Sequence, residues 1–398
     1  MAEKRTIFHV DVNSAFLSWT SVENLKNGTG PDLRKIPAVI GGDRDSRHGI
    51  VLAKSEAAKK AGIHTAMTLG EAYALCPGLV TAPPDRRSYN MYSKKLVGYL
   101  KTLTPVVEQA SIDEAYLDMT GIRDAAVSPV ETACRIKDEI RRRFGFTVNV
   151  GISENKVLAK MASDFEKPDK VHTLFRYEIK EKMWPLPVSD LYMAGKSSVK
   201  RLNDLGIETI GELALSDPAF IERRLKSHGK MLWQFANGID DSPVRSVRDE
   251  PKGVGSSVTL PSDVTDEAHA FTVLGKLSSE VSRRLERSGY YADNICVEIK
   301  YSDFTKVSRQ HMTGRPLISA GSIADEAEEI FRELWNGNPV RLLGIRASKL
   351  VKKGEPVQIT MDDLDKPEYQ KEEKLESTIS EIRKRFGSDS VRRGNEIK

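Results

Sequence analysis

The stretch EQASIDEAYLDMT (residues 108–120) decides the fold, because it places two adjacent carboxylates, Asp113 and Glu114, at the mouth of a strand. Ala115 and Leu117 alternate with more polar neighbours, which is the two-residue period of a β-strand. Neighbouring side chains of a regular strand point to opposite faces of its sheet. A hairpin turn just before this strand would release both acids from that alternation, and we predict such a turn here.

A third acid, Asp11, comes near the end of the first predicted strand, in RTIFHVDVNSAFLSW. If that strand lies beside the hairpin, Asp11 comes within reach of Asp113 and Glu114. Three clustered carboxylates repel one another unless cations neutralise them. Hard oxygen ligands favour Mg²⁺, and a pair of such ions stabilises the attacking and leaving oxygens of an in-line displacement at phosphorus. The residues alone leave open that the acid pair belongs to an ordinary turn.

Composition restricts the class of protein. The chain has 398 residues, of which 39% are hydrophobic and 30% charged, which is typical of a globular protein with about two to four domains. We expect a cytoplasmic protein without a membrane contact, because the sequence has no long apolar run and no leader pattern at MAEKRTIFHV. The three cysteines, Cys76, Cys134 and Cys296, have neither disulfide nor zinc spacing.

Charge is distributed unevenly. The formal net charge is only +4, but many basic residues fall in the last third of the chain. A polyanionic partner explains such a concentration better than a solvated surface does. The basic residues are Arg283, Arg284, Arg287, Lys300, Lys306, Arg309, Arg315, Arg341, Arg346, Lys349, Lys352 and Lys353.

The order of predicted elements indicates an α+β chain. Short strands and helices precede the carboxylate hairpin, and a helix, a strand and a second helix follow it. The middle of the chain is helical. After a charged segment with proline and glycine, the pattern reads strand, helix, strand, strand, helix, strand, which predicts one sheet covered by two helices.

Three motifs in register resemble the Y-family, or translesion, DNA polymerases, with the branch of bacterial DNA polymerase IV nearest. They are HVDVNSAF (residues 9–16), SIDEAYLDMT (residues 111–120) and NVGISENKVLAKMASDFEKP (residues 149–168). The resemblance runs from about residue 6 to residue 350, in the family's order and spacing.

The resemblance implies a right-hand polymerase of the α+β class, with a mixed sheet and helices in its palm. The implied domains are a catalytic palm (1–18 and 86–174), small fingers (19–85), a helical thumb with a helix-hairpin-helix (175–241), a linker (242–252), an α+β little finger (253–352) and a C-terminal tail with a helix (353–398).

The resemblance also implies the catalytic site. Asp11, Asp113 and Glu114, with the backbone carbonyl of Val12, would hold two Mg²⁺ ions. Phe16 would be a steric gate, whose ring leaves no room for a 2′-hydroxyl and so favours deoxynucleotides.

Further residues are implied to bind the incoming deoxynucleoside triphosphate. They are Lys167, Lys59, Ser55 and Lys54 at the phosphates, and Ile50 and Leu52 over the base pair. Glu56 and Lys59 stand where relatives commonly have tyrosine and arginine. Lysine cannot form the planar two-oxygen fork of arginine. We therefore expect a changed grip on the triphosphate, with Glu56 turned away from it.

The resemblance implies a monomer whose thumb and little finger bind primer–template DNA through its phosphates, without sequence preference. The residues are Gly195, Lys196, Ser197 and Ser198 in the hairpin, and Arg341 and Arg346 in the last strand. Met193 replaces a glycine that relatives have in this hairpin. The peptide at 358–362 has Asp362 where relatives have phenylalanine, so we expect weak or no binding to the sliding clamp.

The implied function is template-directed, low-fidelity DNA synthesis by two-metal nucleotidyl transfer, in lesion bypass and DNA repair, with no exonuclease domain. One alternative is a catalytically silent DNA-binding protein on the same scaffold, which the three intact acids disfavour. Another is a palm-type nucleotidyl cyclase. The hairpin and the basic last third of the chain disfavour it, because a cyclase would need neither.

Overall fold

A computed structural model describes residues 5–42, 49–247 and 249–353, together with isolated positions between 378 and 391. The chain divides into two compact units, Met1–Arg248 and Asp249–Lys398. The division falls inside residues 242–252. The peptide at 358–362 and most of the predicted tail helix lie outside the described residues.

The first unit contains a five-stranded sheet with helices, a three-stranded sheet with helices and a mainly helical region. Its elements are β1 (Ile7–Val12), α1 (Ala15–Asn27), β2 (Ala38–Gly41), β3 (Val51–Lys54), α2 (Glu56–Lys60), α3 (Leu69–Leu75), β4 (Val80–Ala82), α4 (Arg86–Leu100), β5 (Val107–Gln109), β6 (Glu114–Asp118), α5 (Arg123–Val127), α6 (Pro129–Phe144), β7 (Val148–Ser153), α7 (Lys156–Asp164), β8 (Val171–Thr173), α8 (Ile179–Lys182), α9 (Lys196–Asn203), α10 (Ile210–Leu215) and α11 (Pro218–Ala236).

The central sheet of this unit has five strands in the order β5-β6-β1-β7-β8. Strand β1 is antiparallel to both β6 and β7, and all six of its residues are buried. Phe8, Val10 and Val12 face a large apolar core that includes Trp19. The alternate residues of β1 face helix α7, so the polar side chains of this strand are enclosed between the sheet and that helix.

A glycine allows α7 to lie directly on the sheet. A Cβ atom on Gly151 of β7 would lie 2.0 Å from the carbonyl oxygen of Ala159 and 2.5 Å from the amide nitrogen of Ser163. No side chain fits in that space, because both neighbours are backbone atoms of α7. Gly151 therefore sets the distance between the helix and the strand.

A three-stranded sheet, in the order β3-β2-β4, packs with α2 and α3 around its own small core. Ser55 begins α2 by accepting a hydrogen bond from the amide of Ala58, and its Oγ also accepts one from the amide of Ala38. Thr68 begins α3 with a capping box that it forms with Glu71. These caps satisfy amides that a helix start leaves without partners.

Helices α8 to α11 pack with one side of α7 around a second apolar core. The turn before α9 has Met193 at φ 70°, in the left-handed region that favours glycine. Gly195 follows as the N-cap of α9. Glycine, which the resemblance implies at this position, would adopt this backbone conformation without strain.

The second unit is one antiparallel sheet with two helices. Its elements are β9 (Gly253–Val264), α12 (Glu267–Ser288), β10 (Tyr290–Tyr301), β11 (Lys306–Leu317), α13 (Ala320–Leu334) and β12 (Val340–Lys352). The strand order is β11-β10-β12-β9, and both helices contribute to a single core on one face of the sheet. The predicted order of elements and the α+β class are confirmed.

No helix within the described residues is long and apolar enough to cross a membrane.

Candidate active site

The three acids meet at one end of the central sheet. Asp11 on β1 is the register partner of Glu114, the first residue of β6. Asp113 occupies the turn between β5 and β6, and its carbonyl oxygen accepts a hydrogen bond of 3.1 Å from the amide of Val12. The hairpin and strand pairing thus bring together residues that are about a hundred positions apart in the sequence.

Ser111 fixes the turn that carries two of these acids. Its Oγ accepts hydrogen bonds from the amides of Asp113, at 3.2 Å, and Glu114, at 3.0 Å. The same hydroxyl donates to Oδ1 of Asp113 at 2.6 Å. One side chain therefore closes the turn and sets the direction of the Asp113 carboxylate.

Two lysines neutralise the acids. The Nζ atom of Lys160 on α7 lies 2.6 Å from Oε1 of Glu114 and 3.4 Å from Oδ2 of Asp11. The Nζ atom of Lys167 lies 2.6 Å from the same Oδ2 atom, and both lysines also pair with Asp164. Burial alone would lower the pKa of each lysine, but the carboxylates, chiefly Asp11, outweigh it and raise both pKa values.

The donor set fits a hard divalent cation. Asp11, Asp113 and Glu114 supply carboxylate oxygens at this end of the sheet, and Mg²⁺ prefers these over softer ligands. Across the described ranges, no three His, Cys, Asp or Glu side chains are gathered closely enough to hold one ion. In this structure Lys160 and Lys167 pair with Glu114 and Asp11, and Ser111 donates to Asp113.

A buried histidine lies beneath this cluster. The Nδ1 atom of His9 is 2.8 Å from Oγ of Ser163, and its ring packs against Tyr116 at a centroid distance of 4.6 Å. Burial lowers the pKa of His9 well below its usual value, and the nearby Lys160 and Lys167 lower it further. His9 is therefore a neutral packing residue between the sheet and α7.

Two asparagines position the segment that carries Lys167. Asn13 Nδ2 donates to Oδ1 of Asn149, and Asn13 Oδ1 accepts from the amide of Asp169. Asn149 Nδ2 donates to the carbonyl of Glu166 at 2.6 Å, and its Oδ1 accepts from the amide of Lys170. The backbone on both sides of Lys167 is thereby tied to β1 and β7.

Phe16, the predicted gate, lies half-buried in the first turn of α1. Its ring stacks on Tyr89 of α4 with centroids 4.6 Å apart and planes inclined by 12°. Tyr89 is buried, and its hydroxyl is 3.0 Å from Oγ1 of Thr20. Phe16 thus rests on a second ring that cannot easily move away.

The predicted nucleotide-binding residues of the three-stranded sheet fall into two groups. Ile50 and Leu52 are exposed on and beside β3, which leaves their side chains available to a ligand. Lys54 Nζ lies 3.4 Å from Oγ1 of Thr65.

The other group lies at the start of α2. Lys59 Nζ lies 3.9 Å from Oε2 of Glu56, so the acid is beside this lysine. Ser55 is buried as the cap described above, and its Oγ already accepts two backbone hydrogen bonds.

The predicted DNA-binding residues lie at the surfaces of their units. Gly195, Lys196 and Ser197 are exposed and Ser198 is half-buried at the start of α9. On β12 of the second unit, Leu343, Ile345 and Ala347 point into the core, whereas Arg346 is exposed and Arg341 half-buried.

Sequence reasoning did not assign a role to Lys160, Ser111, Asn149 or Tyr89. Lys160 shares a helix face with Lys156 and Asp164, four residues away on either side, so the local pattern favours an exposed lysine and gives no signal for its contact with Asp11. The other three act through hydrogen bonds or stacking with residues far away in the sequence, for which a single sequence has no local signal.

The chain is similar in sequence to known proteins. The impB/mucB/samB family profile matches residues 10–164, and the profile of that family's C-terminal domain matches residues 251–361. The chain is 46% identical to DNA polymerase IV of Clostridium acetobutylicum over 98% of its own length and 97% of that protein.

Other relatives and one solved structure extend the comparison. The chain is 36% identical to DNA polymerase IV 1 of Bacillus subtilis, over its whole length and 94% of that protein. The fold matches a Y-family DNA polymerase chimera with a TM-score of 0.77 at 24% identity, covering 87% of this chain and all of that one.

Proposed function

The chain belongs to the impB/mucB/samB family of Y-family DNA polymerases, and from that premise we propose how its residues extend a primer. It is a DNA-directed DNA polymerase of the translesion class. Its family uses divalent cations and deoxynucleoside triphosphates. The finer assignment of residues below is our proposal.

The acids at the end of the central sheet hold two Mg²⁺ ions through the carboxylates of Asp11, Asp113 and Glu114 and the carbonyl of Val12. When bound, the ions supply the positive charge that stabilises the attacking and leaving oxygens at phosphorus. The observation that carries the proposal is the pairing of Asp11 with Glu114 on adjacent strands, with Asp113 tied to Val12 by its carbonyl.

Lys160 and Lys167 pair with Glu114 and Asp11 before substrate arrives. Both ammonium groups already lie within hydrogen-bond distance of carboxylates, so each can change partner without a change of fold. Lys167 is the one that turns to the triphosphate, where its charge offsets the negative charge of the transition state. Asn13 and Asn149 hold the backbone that carries it.

Phe16 excludes the ribose 2′-hydroxyl as a steric gate, and Tyr89 beneath it keeps the ring from withdrawing. Ile50 and Leu52 contact the incoming base pair, and Lys54 and Lys59 contact the phosphates. Ser55 acts by ordering the start of α2, since its oxygen is taken up by two amides.

The domain names follow from this assignment. The five-stranded sheet is the palm, the three-stranded sheet the fingers, the helices α8 to α11 the thumb, and the second unit the little finger. Gly195 to Ser198 bind a phosphate at the start of α9, and Arg341 and Arg346 bind duplex phosphates. The enzyme works as a low-fidelity monomer, and the peptide at 358–362 binds the sliding clamp weakly at most.

Primer extension with Mg²⁺ tests the assignment. We expect Asp113→Ala to abolish extension and Phe16→Ala to admit ribonucleotides, while Asp124→Ala, a surface acid paired with Arg135, is the matched control and stays active. Extension that survives Asp113→Ala would remove the metal-binding role. A wild-type chain that binds primer–template without extending it would favour the silent DNA-binding alternative.

A further inference from the structure

The turn between β10 and β11 presents an aromatic ring flanked by two cations. Phe304 is 58% exposed. The Nζ atom of Lys300 lies 4.3 Å from the centre of its ring, and Cζ of Arg341 on β12 lies 4.7 Å from it. We call these three residues the aromatic tip.

The backbone of the turn holds the ring in this position. Phe304 has φ 69°, a left-handed conformation that is rare for a bulky side chain. Its amide donates to the carbonyl of Tyr301, and the amide of Tyr301 donates to the carbonyl of Thr305. The carboxylate of Asp303, in the same turn, accepts hydrogen bonds from the amide and from the hydroxyl of Thr305. The exposure of Phe304 is thus built into a closed turn.

The charge at the aromatic tip is also uncompensated. Neither Lys300 nor Arg341 forms an ion pair with any residue that the structure describes, whereas nearby Lys306 pairs with Glu298. An exposed aromatic ring beside unpaired cations matches what proteins use to bind single-stranded nucleic acid. In such sites, bases stack on the ring and the cations attract the phosphates. Lys300 and Arg341 lie over the ring here, so a stacking base would displace the flexible Lys300 ammonium toward a phosphate.

We propose that the aromatic tip is a stacking platform for an unpaired base of DNA. The inference rests on the proposed function, because a primer–template substrate always carries unpaired template bases ahead of the primer end. Paired bases of a duplex already stack on their neighbours and offer no free face to the ring. Phosphate contacts alone would need the cations but not Phe304.

The test measures binding of the full chain to a fluorescent oligothymidylate and to a blunt duplex, by anisotropy at several salt concentrations. We expect Phe304→Ala to weaken single-strand binding by about fivefold to a hundredfold, the range that stacking of a base on an aromatic side chain contributes. Duplex affinity and the slope of affinity against salt should stay unchanged, because no phosphate contact is lost.

Matched variants separate stacking from packing. Phe304→Trp should retain single-strand binding and Phe304→Leu should lose it, although leucine keeps apolar bulk in the turn. Arg341→Gln should weaken binding of both the single strand and the duplex, and should reduce the slope of affinity against salt by about one. Tyr177→Ala, which removes an exposed ring of the first unit, should change neither affinity.

Equal single-strand affinity of the wild type, Phe304→Ala and Phe304→Leu would overturn the inference and leave the ring as packing of the turn. An equal loss of affinity for the single strand and for the duplex in Phe304→Ala would overturn it as well. Either result would leave the polymerase assignment intact if the wild type extends a primer. A wild type that does not extend a primer would count against the proposed function and not against the aromatic tip.

Discussion

Replacing Gly151 with alanine should disturb the candidate active site from beneath. The added Cβ would lie 2.0 Å from the carbonyl oxygen of Ala159, whereas real Cβ contacts essentially never fall below 3.0 Å. Helix α7 must therefore withdraw by at least 1.0 Å (3.0 minus 2.0) or β7 must bend by as much. No rotation of a side chain can relieve the contact, since both obstructing atoms belong to the backbone.

The expected cost follows from the size of that clash. Overpacking of a core costs about 1–3 kcal/mol when side chains can adjust, so a clash with backbone should cost about 3 kcal/mol or more. A withdrawal of the same size would also stretch the hydrogen bond between Lys160 and Glu114, which is now 2.6 Å, beyond normal range. We therefore expect both lower stability and weaker primer extension.

Urea unfolding followed by tryptophan fluorescence measures the first effect, and primer extension at saturating nucleotide measures the second. Gly98→Ala is the matched control, because a Cβ at this exposed position on α4 meets no atom within 4 Å. Alanine there should stabilise the helix by about 0.5–1 kcal/mol. If Gly151→Ala proved as stable and as active as the control, the account of how α7 is positioned would be wrong.

Three further predictions concern the lysine pair, the hairpin and a histidine of the second unit. Lys160→Met should lower the melting temperature in EDTA, because breaking a partly buried ion pair costs up to about 3 kcal/mol, the lower end for a buried one. Mg²⁺ should restore more stability to this variant than to the wild type, and equal Mg²⁺ effects would contradict the placement of the cation. Met193→Gly should stabilise the fold by about 0.5–1 kcal/mol in urea, since only glycine adopts its φ of 70° without strain; a loss of stability would refute this. Burial lowers the pKa of His311, but its hydrogen bonds to Glu326 and Glu333 outweigh burial and raise the pKa above its usual value. The protonated histidine should therefore contribute fully to the free energy of unfolding below about pH 6.5, and the contribution should be lost as pH rises through the raised pKa. His311→Gln should abolish this pH dependence of the free energy of unfolding. An unchanged pH profile in the variant would exclude His311 as the source of the dependence.

Local patterns were sufficient to predict most of the fold. The two-residue period around Ala115 and the polar turn before it predicted the hairpin of β5 and β6, which the structure contains. The succession of strands and helices after residue 252 predicted one sheet with two helices. Both inferences depend on neighbours in sequence, and local periodicity reports such relations directly.

The chemistry of the site was predictable only in part. The motifs indicated Asp11, Asp113 and Glu114, because each acid interrupts an apolar strand or its turn. The two lysines between those acids were not foreseen as their partners, since Lys160 and Asp11 are 149 positions apart. The contact between α7 and the sheet depends on Gly151, whose importance appears only when the opposing backbone atoms are in view.

The position of β1 in the middle of its sheet has a consequence for the chain while it is being translated. Its antiparallel partner β7 ends at Ser153, about 140 residues after β1 ends at Val12. At synthesis rates of about 5–20 residues per second, this apolar strand waits roughly 7–28 s before that edge is covered. Translation that terminates in this interval releases a polypeptide in which the apolar edge of β1 is unpaired. Such a product should aggregate rather than fold as a smaller protein.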